Sequence, residues 1–123
     1  MTVLIVDDDA AVRHILARFL EREGLTVVQA GNGQTALDYL TGGGTANVIL
    51  LDLRMPIMDG WTFRQEQRRS SAFGDIPVIV LSGADVGRFV ELDAAATFQK
   101  PVRLADLCLG VRLICENARV PVP

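Results

Sequence analysis

Residues 3–8 read Val3-Leu4-Ile5-Val6-Asp7-Asp8, an unbroken apolar run that passes directly into two carboxylates. Continuous apolar runs of this length are typical of the inner strands of a parallel sheet, because helices cover both faces of such strands. Helical periodicity begins at residue 10, directly after the acidic residues, and continues to residue 23. The stretch therefore predicts a buried strand, a charged turn and a helix, which together form one βα unit.

The rest of the chain repeats this unit, with strand-length runs alternating with amphipathic stretches. The predicted strands are 2–7, 25–30, 47–52, 76–82 and 96–99, and the predicted helices are 10–23, 33–42, 60–70, 84–93 and 103–117. In the first helix the predicted core stripe consists of Val12, Ile15, Leu16, Phe19 and Leu20. Strict alternation of strands and helices predicts an α/β fold with a parallel sheet.

The composition of the strands predicts their order. The runs at 2–7, 47–52 and 76–82 are nearly continuous apolar segments, whereas 25–30 and 96–99 mix polar with apolar residues, which suits the margins of a sheet. With right-handed crossovers, the order that places those two strands outside is 2-1-3-4-5. The predicted fold class is α/β, a doubly wound five-stranded parallel sheet of flavodoxin-like topology with helices on both faces.

Reactive polar residues follow four of the five predicted strands. These residues are Asp7 and Asp8, then Asp52, Ser82 and Lys100, the last of them followed by Pro101. In an open parallel sheet the carboxyl ends of the strands lie along one edge, and ligands bind in the crevice outside that edge. We therefore expect three carboxylates, a hydroxyl and an ammonium to share one site.

Such a site calls for a cation. At ~4 Å and an effective dielectric constant near 20, each pair of carboxylates costs about 4 kcal/mol. Lys100 offsets part of this repulsion, and Mg²⁺ suits the remainder, with Asp8 and Asp52 as ligands and Asp7 as a further candidate through water. Asp52 is then the candidate oxygen nucleophile toward a phosphoryl group, whose oxygens the metal, Lys100 and Ser82 would contact.

Each of these residues also has a purely structural interpretation. Asp8 or Asp9 would serve as the N-cap of the first helix, Ser82 would open a turn, and Lys100-Pro101 would begin a loop. Taken singly, these interpretations are the more common ones. The functional hypothesis depends on all of the residues meeting at the same edge of the same predicted sheet.

Length and composition predict one globular domain. The chain has 123 residues, of which 50% are hydrophobic and 22% charged, and its apolar runs are too short to span a membrane. The net charge of −3 and the lack of a basic stripe argue against nucleic-acid binding. Neither membrane association nor a secretory signal is expected, so the predicted location is cytoplasmic.

The last predicted helix has two different faces. Its predicted core stripe consists of Leu104, Leu107, Cys108, Val111 and Cys115. The two cysteines are seven residues apart, roughly 10 Å along a helix, which is too far for a disulfide, so we expect two buried thiols. Leu109 and Leu113 lie on the opposite side, where they are either isolated surface leucines or contacts for a partner.

Four motifs at the predicted sheet edge resemble a known family. They are Val6-Asp7-Asp8-Asp9, Leu51-Asp52-Leu53-Arg54-Met55-Pro56-Ile57-Met58-Asp59-Gly60, Val80-Leu81-Ser82-Gly83-Ala84 and Phe98-Gln99-Lys100-Pro101. In combination they resemble the receiver domain of bacterial two-component response regulators over essentially the whole chain. The resemblance implies a receiver domain over 1–118 with a short tail at 119–123, either a stand-alone protein or part of a longer regulator or hybrid kinase.

The resemblance implies a phosphoacceptor that takes part in two-component signal transduction and is not an enzyme in its own right. Asp52 would accept a phosphoryl group from the phosphohistidine of a sensor histidine kinase or phosphotransfer protein, and the chain would assist its own phosphorylation and dephosphorylation. The implied Mg²⁺ ligands are Asp7, Asp8, Asp52 and the backbone carbonyl of Arg54, and the implied phosphoryl contacts are Ser82 and Lys100.

The resemblance also implies a switch. Phe98 would change rotamer when Ser82 moves inward to meet the phosphoryl group, and the Lys100-Pro101 peptide bond would be cis. The change would alter the surface of the fourth helix, fifth strand and fifth helix (α4-β5-α5 in the predicted order), where an effector or a second copy would bind, with Leu109 and Leu113 as candidate contacts. The segment between Ser82 and Lys100 is shorter than usual by about one helical turn.

Three other functions fit the sequence less well. A non-phosphorylated receiver-like scaffold would normally lack one of the site residues, and none is missing. An aspartyl-phosphate hydrolase of the haloacid dehalogenase type would have Asp-x-Asp after the nucleophile strand, but position 54 is Arg. A flavodoxin-like cofactor carrier would bind phosphate after the first strand, where Asp7, Asp8 and Asp9 would repel it.

Overall fold

The computed structural model describes residues 1–83 and 92–119. In this part of the chain strands and helices alternate from the N-terminus to β4. The strands are β1 Thr2–Val6, β2 Thr26–Ala30, β3 Val48–Asp52, β4 Val78–Ser82 and β5 Ala96–Gln99. The helices are α1 Ala10–Arg22, α2 Gly33–Thr41, α3 Gly60–Arg68 and α4 Leu104–Arg119.

Four helices are described where five were predicted. The helix predicted at 84–93 lies outside the described residues apart from Leu92 and Asp93, which belong to no α-helix. The last helix, α4, covers the segment predicted at 103–117. Within 1–83 and 92–119, no helix has the length and apolar content that crossing a membrane requires.

All five strands pair in parallel, in the order β2-β1-β3-β4-β5. The predicted fold class is therefore confirmed. Every residue of β3 and β4 is buried, as are all residues of β1 after Thr2, whereas β2 and β5 keep exposed and partly buried positions. The physical reason is the predicted one, because helices cover both faces of the inner strands.

The sheet separates two apolar layers. Alternate side chains of each inner strand enter opposite layers, so that Ile5 and Leu50 lie in one and Leu4 and Ile49 in the other. The first layer is completed by α1 and α4, and the second by α2 and α3. This burial holds the inner strands in register, and the register fixes which residues meet at the carboxyl edge of the sheet.

The helices that follow the sheet edge begin at side-chain caps. Asp9 caps α1 by accepting hydrogen bonds from the backbone N–H groups of Ala11 and Val12, at 3.1 and 3.2 Å. Asp59 caps α3 in the same way. The structural interpretation of the acidic triplet therefore applies to Asp9, whereas Asp7 and Asp8 lie before the cap.

Gly60 allows α3 to begin close to β3. Its backbone N–H donates to the carbonyl of Leu53 at 2.9 Å. A Cβ atom at this position would lie 2.6 Å from the carbonyl oxygen of Asp52 and 2.7 Å from the Cα of Leu53. Real side chains do not tolerate such contacts, so any larger residue would displace the loop that follows Asp52.

The predicted core stripe of α1 is wrong at one position. Ile15, predicted to be in the core, is 58% exposed, and the buried residues of α1 are Leu16, Ala17 and Leu20. The small Ala17, 1% exposed, lies on the buried face instead. Rotation of the buried face toward Ala17 leaves Ile15 on the outer side of the helix.

The two faces of the last helix are as predicted. Leu107, Val111 and both cysteines are buried in the core, and the cysteines are free thiols. On the outer face Leu109 is 58% exposed and Leu113 is 50% exposed.

The polar helix α3 contains a buried hydrogen-bond network that its sequence did not indicate. Arg64 donates from Nε to the carbonyl of Leu92 at 2.8 Å and from Nη2 to the carbonyl of Asp93 at 3.0 Å. Gln67 accepts from Nη1 of Arg64 at 2.6 Å, and its amide nitrogen donates to two backbone carbonyls of the α3–β4 connection at 3.0 Å. The network joins α3 to the segments that precede both β4 and β5.

Replacing Gln67 with Met should lower the free energy of unfolding by about 2–4 kcal/mol. The side chain is fully buried, and Met keeps its volume but leaves the guanidinium of Arg64 and two carbonyls without their partner. Urea denaturation measures the loss. Gln65→Met, on the exposed face of the same helix, is the matched control, and equal stability of the two variants would contradict this role of the network.

Candidate functional site

The register of the sheet brings the acidic residues together. Val6 pairs with Leu51, so that Asp7 and Asp52 follow neighbouring positions at the carboxyl edge. One carboxylate oxygen from each of Asp7, Asp8 and Asp52 lies within 4.8 Å of the other two. The three acids that the sequence analysis placed at this edge therefore form one cluster.

Lys100 reaches this cluster from the end of β5. Its Nζ lies 3.2 Å from Oδ2 of Asp7 and 3.5 Å from Oδ1 of Asp52. Its backbone N–H donates to the carbonyl of Ser82 at 2.9 Å, which aligns it with the end of β4. The Lys100–Pro101 peptide bond is cis, as the resemblance implied.

The two members of the acidic pair lie in different surroundings. Asp7 is 1% exposed, and besides Lys100 its carboxylate accepts a hydrogen bond from the backbone N–H of Asp9 at 2.9 Å. Asp8 is exposed, and its side chain has no hydrogen bond or ion pair within the described residues. Asp7 is thus fixed in the floor of the site, and Asp8 lies at its mouth.

Burial and charge determine the protonation of the site. Burial raises the pKa of Asp52 to about 6; Asp7 and Asp8 act in the same direction, while Lys100 and the backbone N–H of Arg54 partly counteract them. For Lys100, burial favours the neutral form, but Asp52 and Asp7 outweigh it and the pKa is raised. The ammonium therefore stays charged at neutral pH, and it does not compensate the carboxylates completely.

Ser82 and Phe98 occupy the strands on the other side of Asp52. Asp52 pairs with Leu81 in the β3–β4 ladder, so the buried Ser82 comes one residue beyond the partner of Asp52. Phe98 is half-buried on β5 and packs on α4, where a Cβ at Gly110 would lie 3.1 Å from the ring. Gly110 thus leaves room for the ring in the middle of a helix.

The donor set fits a hard divalent cation. Three carboxylates converge, the ammonium of Lys100 offsets only part of their charge, and burial raises the pKa of Asp52 to about 6, with Asp7 and Asp8 acting in the same direction. Mg²⁺ prefers oxygen ligands, binds through few carboxylates and keeps several waters, which the exposed Asp8 would allow. The residues present therefore fit Mg²⁺.

An apolar groove of about 530 Å³ opens beside Lys100. Its lining residues are Val12, Ile15, Leu16, Leu81, Lys100, Pro101, Val102 and Leu104. The sequence did not indicate this groove, because the spacing of Ile15 is that of a core residue. A helical wheel centred on Ala17 would have placed Ile15 outside.

The chain is similar to known signalling proteins. A family model described as the response regulator receiver domain matches residues 3–112. The response regulator MprA of Mycobacterium avium is 34% identical, over 97% of this chain and 53% of that protein. A protein-glutamate methylesterase/protein-glutamine glutaminase of Paramagnetospirillum magneticum is 38% identical, over 89% of this chain and 30% of that protein. The chain thus spans about half or less of the length of these curated relatives.

Solved structures match over nearly their full length. The signal receiver domain of a signal transduction histidine kinase from Syntrophus aciditrophicus has a TM-score of 0.90 at 25% identity, covering 98% of this chain and 94% of that one. A response regulator receiver protein from Pseudomonas putida has a TM-score of 0.84 at 31% identity, covering 91% and 95%.

In metal-free protein, Asp52→Asn should raise the free energy of unfolding above neutral pH, by up to about 3 kcal/mol. The pKa of Asp52 rises from 3.8 to about 6 on folding, so its protonated form stabilises the folded state below pH 3.8. That contribution is lost as the pH rises through about 6. The advantage of the variant should therefore be small near pH 4 and complete above pH 7, as measured by urea denaturation with a chelator.

Added Mg²⁺ should reduce this advantage, because the cation stabilises the wild-type cluster more than the variant. Asp75→Asn makes the same chemical change at an exposed position and serves as the control. If the free energy of unfolding changed with pH in the same way in wild type and Asp52→Asn, Asp52 would not be the group whose pKa rises on folding.

Proposed function

Because the chain belongs to the receiver-domain family of two-component response regulators, we propose that it accepts a phosphoryl group on Asp52. The donor is the phosphohistidine of a sensor histidine kinase or phosphotransfer protein. The observation that carries the proposal is the position of Asp52, between two other carboxylates and the ammonium of Lys100 at the open edge of the sheet. The receiver domain spans 1–118 in this proposal.

Asp52 acts as the nucleophile. One of its carboxylate oxygens forms a bond to phosphorus while the bond from phosphorus to the donor imidazole breaks, and that electron pair stays with the imidazole nitrogen. Asp52 attacks as the carboxylate, which predominates above its pKa of about 6. The carboxylate accepts a hydrogen bond from the backbone N–H of Arg54. Its remaining oxygen lone pairs are available to attack phosphorus. In this role the chain is a signalling phosphoacceptor and not an enzyme with a separate substrate.

The surrounding residues bind and orient the phosphoryl group. Asp7, Asp8, Asp52 and the backbone carbonyl of Arg54 would hold Mg²⁺, which would supply positive charge to the phosphoryl oxygens. Lys100 is already within ion-pair distance of Asp52, and its side chain is 29% exposed, so it can follow the new negative charge. Ser82 offers a hydroxyl from the adjacent strand.

Phosphorylation alters the surface formed by β5 and α4. It adds a charge of about −1.5 to −2 and three acceptor oxygens. When Ser82 moves toward these oxygens, Phe98 changes its packing against α4 at Gly110. Leu109 and Leu113 lie exposed on the same helix, and they are the candidate contacts for an effector or a second copy.

The groove beside Lys100 is the candidate surface for the phosphodonor. A donor imidazole must come within bonding distance of Asp52, so its protein has to cover the rim of the site. Ile15 is 58% exposed on that rim and borders the groove together with Pro101. Together with the apolar groove, this exposed side chain forms an apolar surface that a partner protein can cover.

Asp52→Asn should abolish acid-labile phosphate incorporation, because the amide oxygen is a poor nucleophile. Labelling by a panel of phosphorylated histidine kinases, with Mg²⁺ present or chelated, measures this. Asp75→Asn should be labelled like the wild type. Labelled Asp52→Asn protein, or labelling of the wild type that does not need a metal, would contradict the proposed site.

Ile15→Asp should slow phosphotransfer from a histidine-containing protein about tenfold or more, because a buried hot-spot side chain is worth ~2 kcal/mol. Phosphorylation by acetyl phosphate, which needs no protein contact, should stay unchanged. Leu113→Asp removes a similarly exposed leucine far from the groove and is the matched control. Equal slowing with both donors would mean that Ile15 acts on the site itself and not on docking.

A further inference from the structure

Arg13 on α1 contacts the backbone of the acidic pair. Its Nη1 donates to the carbonyl oxygen of Asp7 at 2.7 Å, and its Nε donates to the side-chain oxygen of Gln29 on β2 at 3.1 Å. The guanidinium lies over Gly31, where a Cβ atom would be 3.7 Å from Nη1. Two hydrogen bonds therefore hold the side chain, one to the residue that follows β1 and one to β2.

With this contact every polar group of Asp7 is engaged. Its backbone N–H donates to the carbonyl of Ala30 at 3.1 Å, and its two carboxylate oxygens accept from Asp9 and Lys100. The carbonyl that Arg13 holds belongs to the peptide plane between Asp7 and Asp8. Fixing that plane restricts the direction in which the chain leaves Asp7, and with it the position of Asp8.

Asp8 needs such a constraint more than its neighbours do. It is exposed, and its side chain has no partner within residues 1–83 and 92–119. Asp52 is fixed by burial in β3, and Asp7 by its four hydrogen-bonding partners. Only the backbone holds Asp8 within reach of the other two carboxylates.

We propose that Arg13, oriented by Gln29, is a positioning residue that fixes the Asp7–Asp8 peptide and so prepares the acidic cluster for a divalent cation. This inference rests on the proposed function, because it concerns the same metal site. Arg13 binds no ligand itself. Residues that orient metal ligands from behind commonly change metal affinity 10- to 100-fold when they are replaced.

The chemistry of arginine matters for this role. A guanidinium donates from Nε and Nη1 in fixed directions, so one side chain can hold the Asp7 carbonyl and the Gln29 amide at the same time, whereas the single ammonium of lysine lacks this fork. Arg13 also forms no ion pair within the described residues. Its hydrogen bonds go to two neutral oxygens, the carbonyl of Asp7 and the side-chain amide oxygen of Gln29. Loss of its positive charge alone would strengthen cation binding at the acidic cluster, whereas the proposal expects weaker binding when Arg13 is replaced.

The test is the binding of Mn²⁺ followed by electron paramagnetic resonance, with Mg²⁺ as competitor, on the full chain. Arg13→Met should weaken binding about tenfold or more, and Arg13→Lys should not restore it. Gln29→Ala should weaken binding about threefold, with no further loss in the Arg13→Met background, because the two residues act together. Arg18→Met removes an exposed charge from the same helix and should leave the affinity within about twofold.

Unchanged affinity in Arg13→Met, or full recovery in Arg13→Lys, would overturn the inference while leaving the proposed function intact. A wild-type protein that binds neither cation would overturn the proposed function and this inference together. If Arg13→Met does not fold, as judged by circular dichroism, Gln29→Ala decides the question, because that side chain is exposed and affects Arg13 alone. An affinity equal to wild type in Gln29→Ala would then overturn the proposal.

Discussion

The central physical constraint in this structure is the crowding of three carboxylates at one edge of the sheet. One oxygen from each lies within 4.8 Å of the other two, and the ammonium of Lys100 opposes their repulsion. One ammonium cannot balance three carboxylates, and burial, to which Asp7 and Asp8 add, raises the pKa of Asp52 to about 6. A site with unbalanced negative charge attracts a cation, and the cation and Lys100 can then bind a phosphoryl group without rearrangement of the site. The repulsion among the carboxylates in the folded protein is therefore the source of the proposed chemistry.

Such repulsion requires a rigid frame. The inner strands β1, β3 and β4 are buried on both faces, and their register fixes the position of the first residue beyond each strand. Asp7 and Asp52 therefore cannot move apart without breaking the core. Polar contacts fix the loop between β1 and α1, which apolar packing does not hold. Asp9 caps α1, and Arg13 donates a hydrogen bond to the carbonyl of Asp7.

The residues proposed to move on phosphorylation lie at the edge of the sheet. Lys100 and Phe98 lie at β5, the edge strand, whose alternating exposure leaves it fewer packing restraints than the inner strands. Phe98 rests on Gly110 of α4, and the exposed leucines of that helix are two turns or less from this contact. A change at the acidic cluster is thus separated from the candidate output surface by only one strand and one aromatic ring.

Sequence periodicity and composition determined the strand order, the buried inner strands and the meeting of Asp7, Asp8, Asp52 and Lys100 at one edge, because parallel strands bring their carboxyl ends together whatever the loops between them. Only the tertiary structure decided the rest. Ile15 fits a core stripe by spacing, yet the buried face of α1 turns toward Ala17. Arg64, Gln67 and Arg13 look like ordinary surface residues in the sequence, because the structural role of a polar side chain is recognisable only once its partners, distant in the chain, are in place.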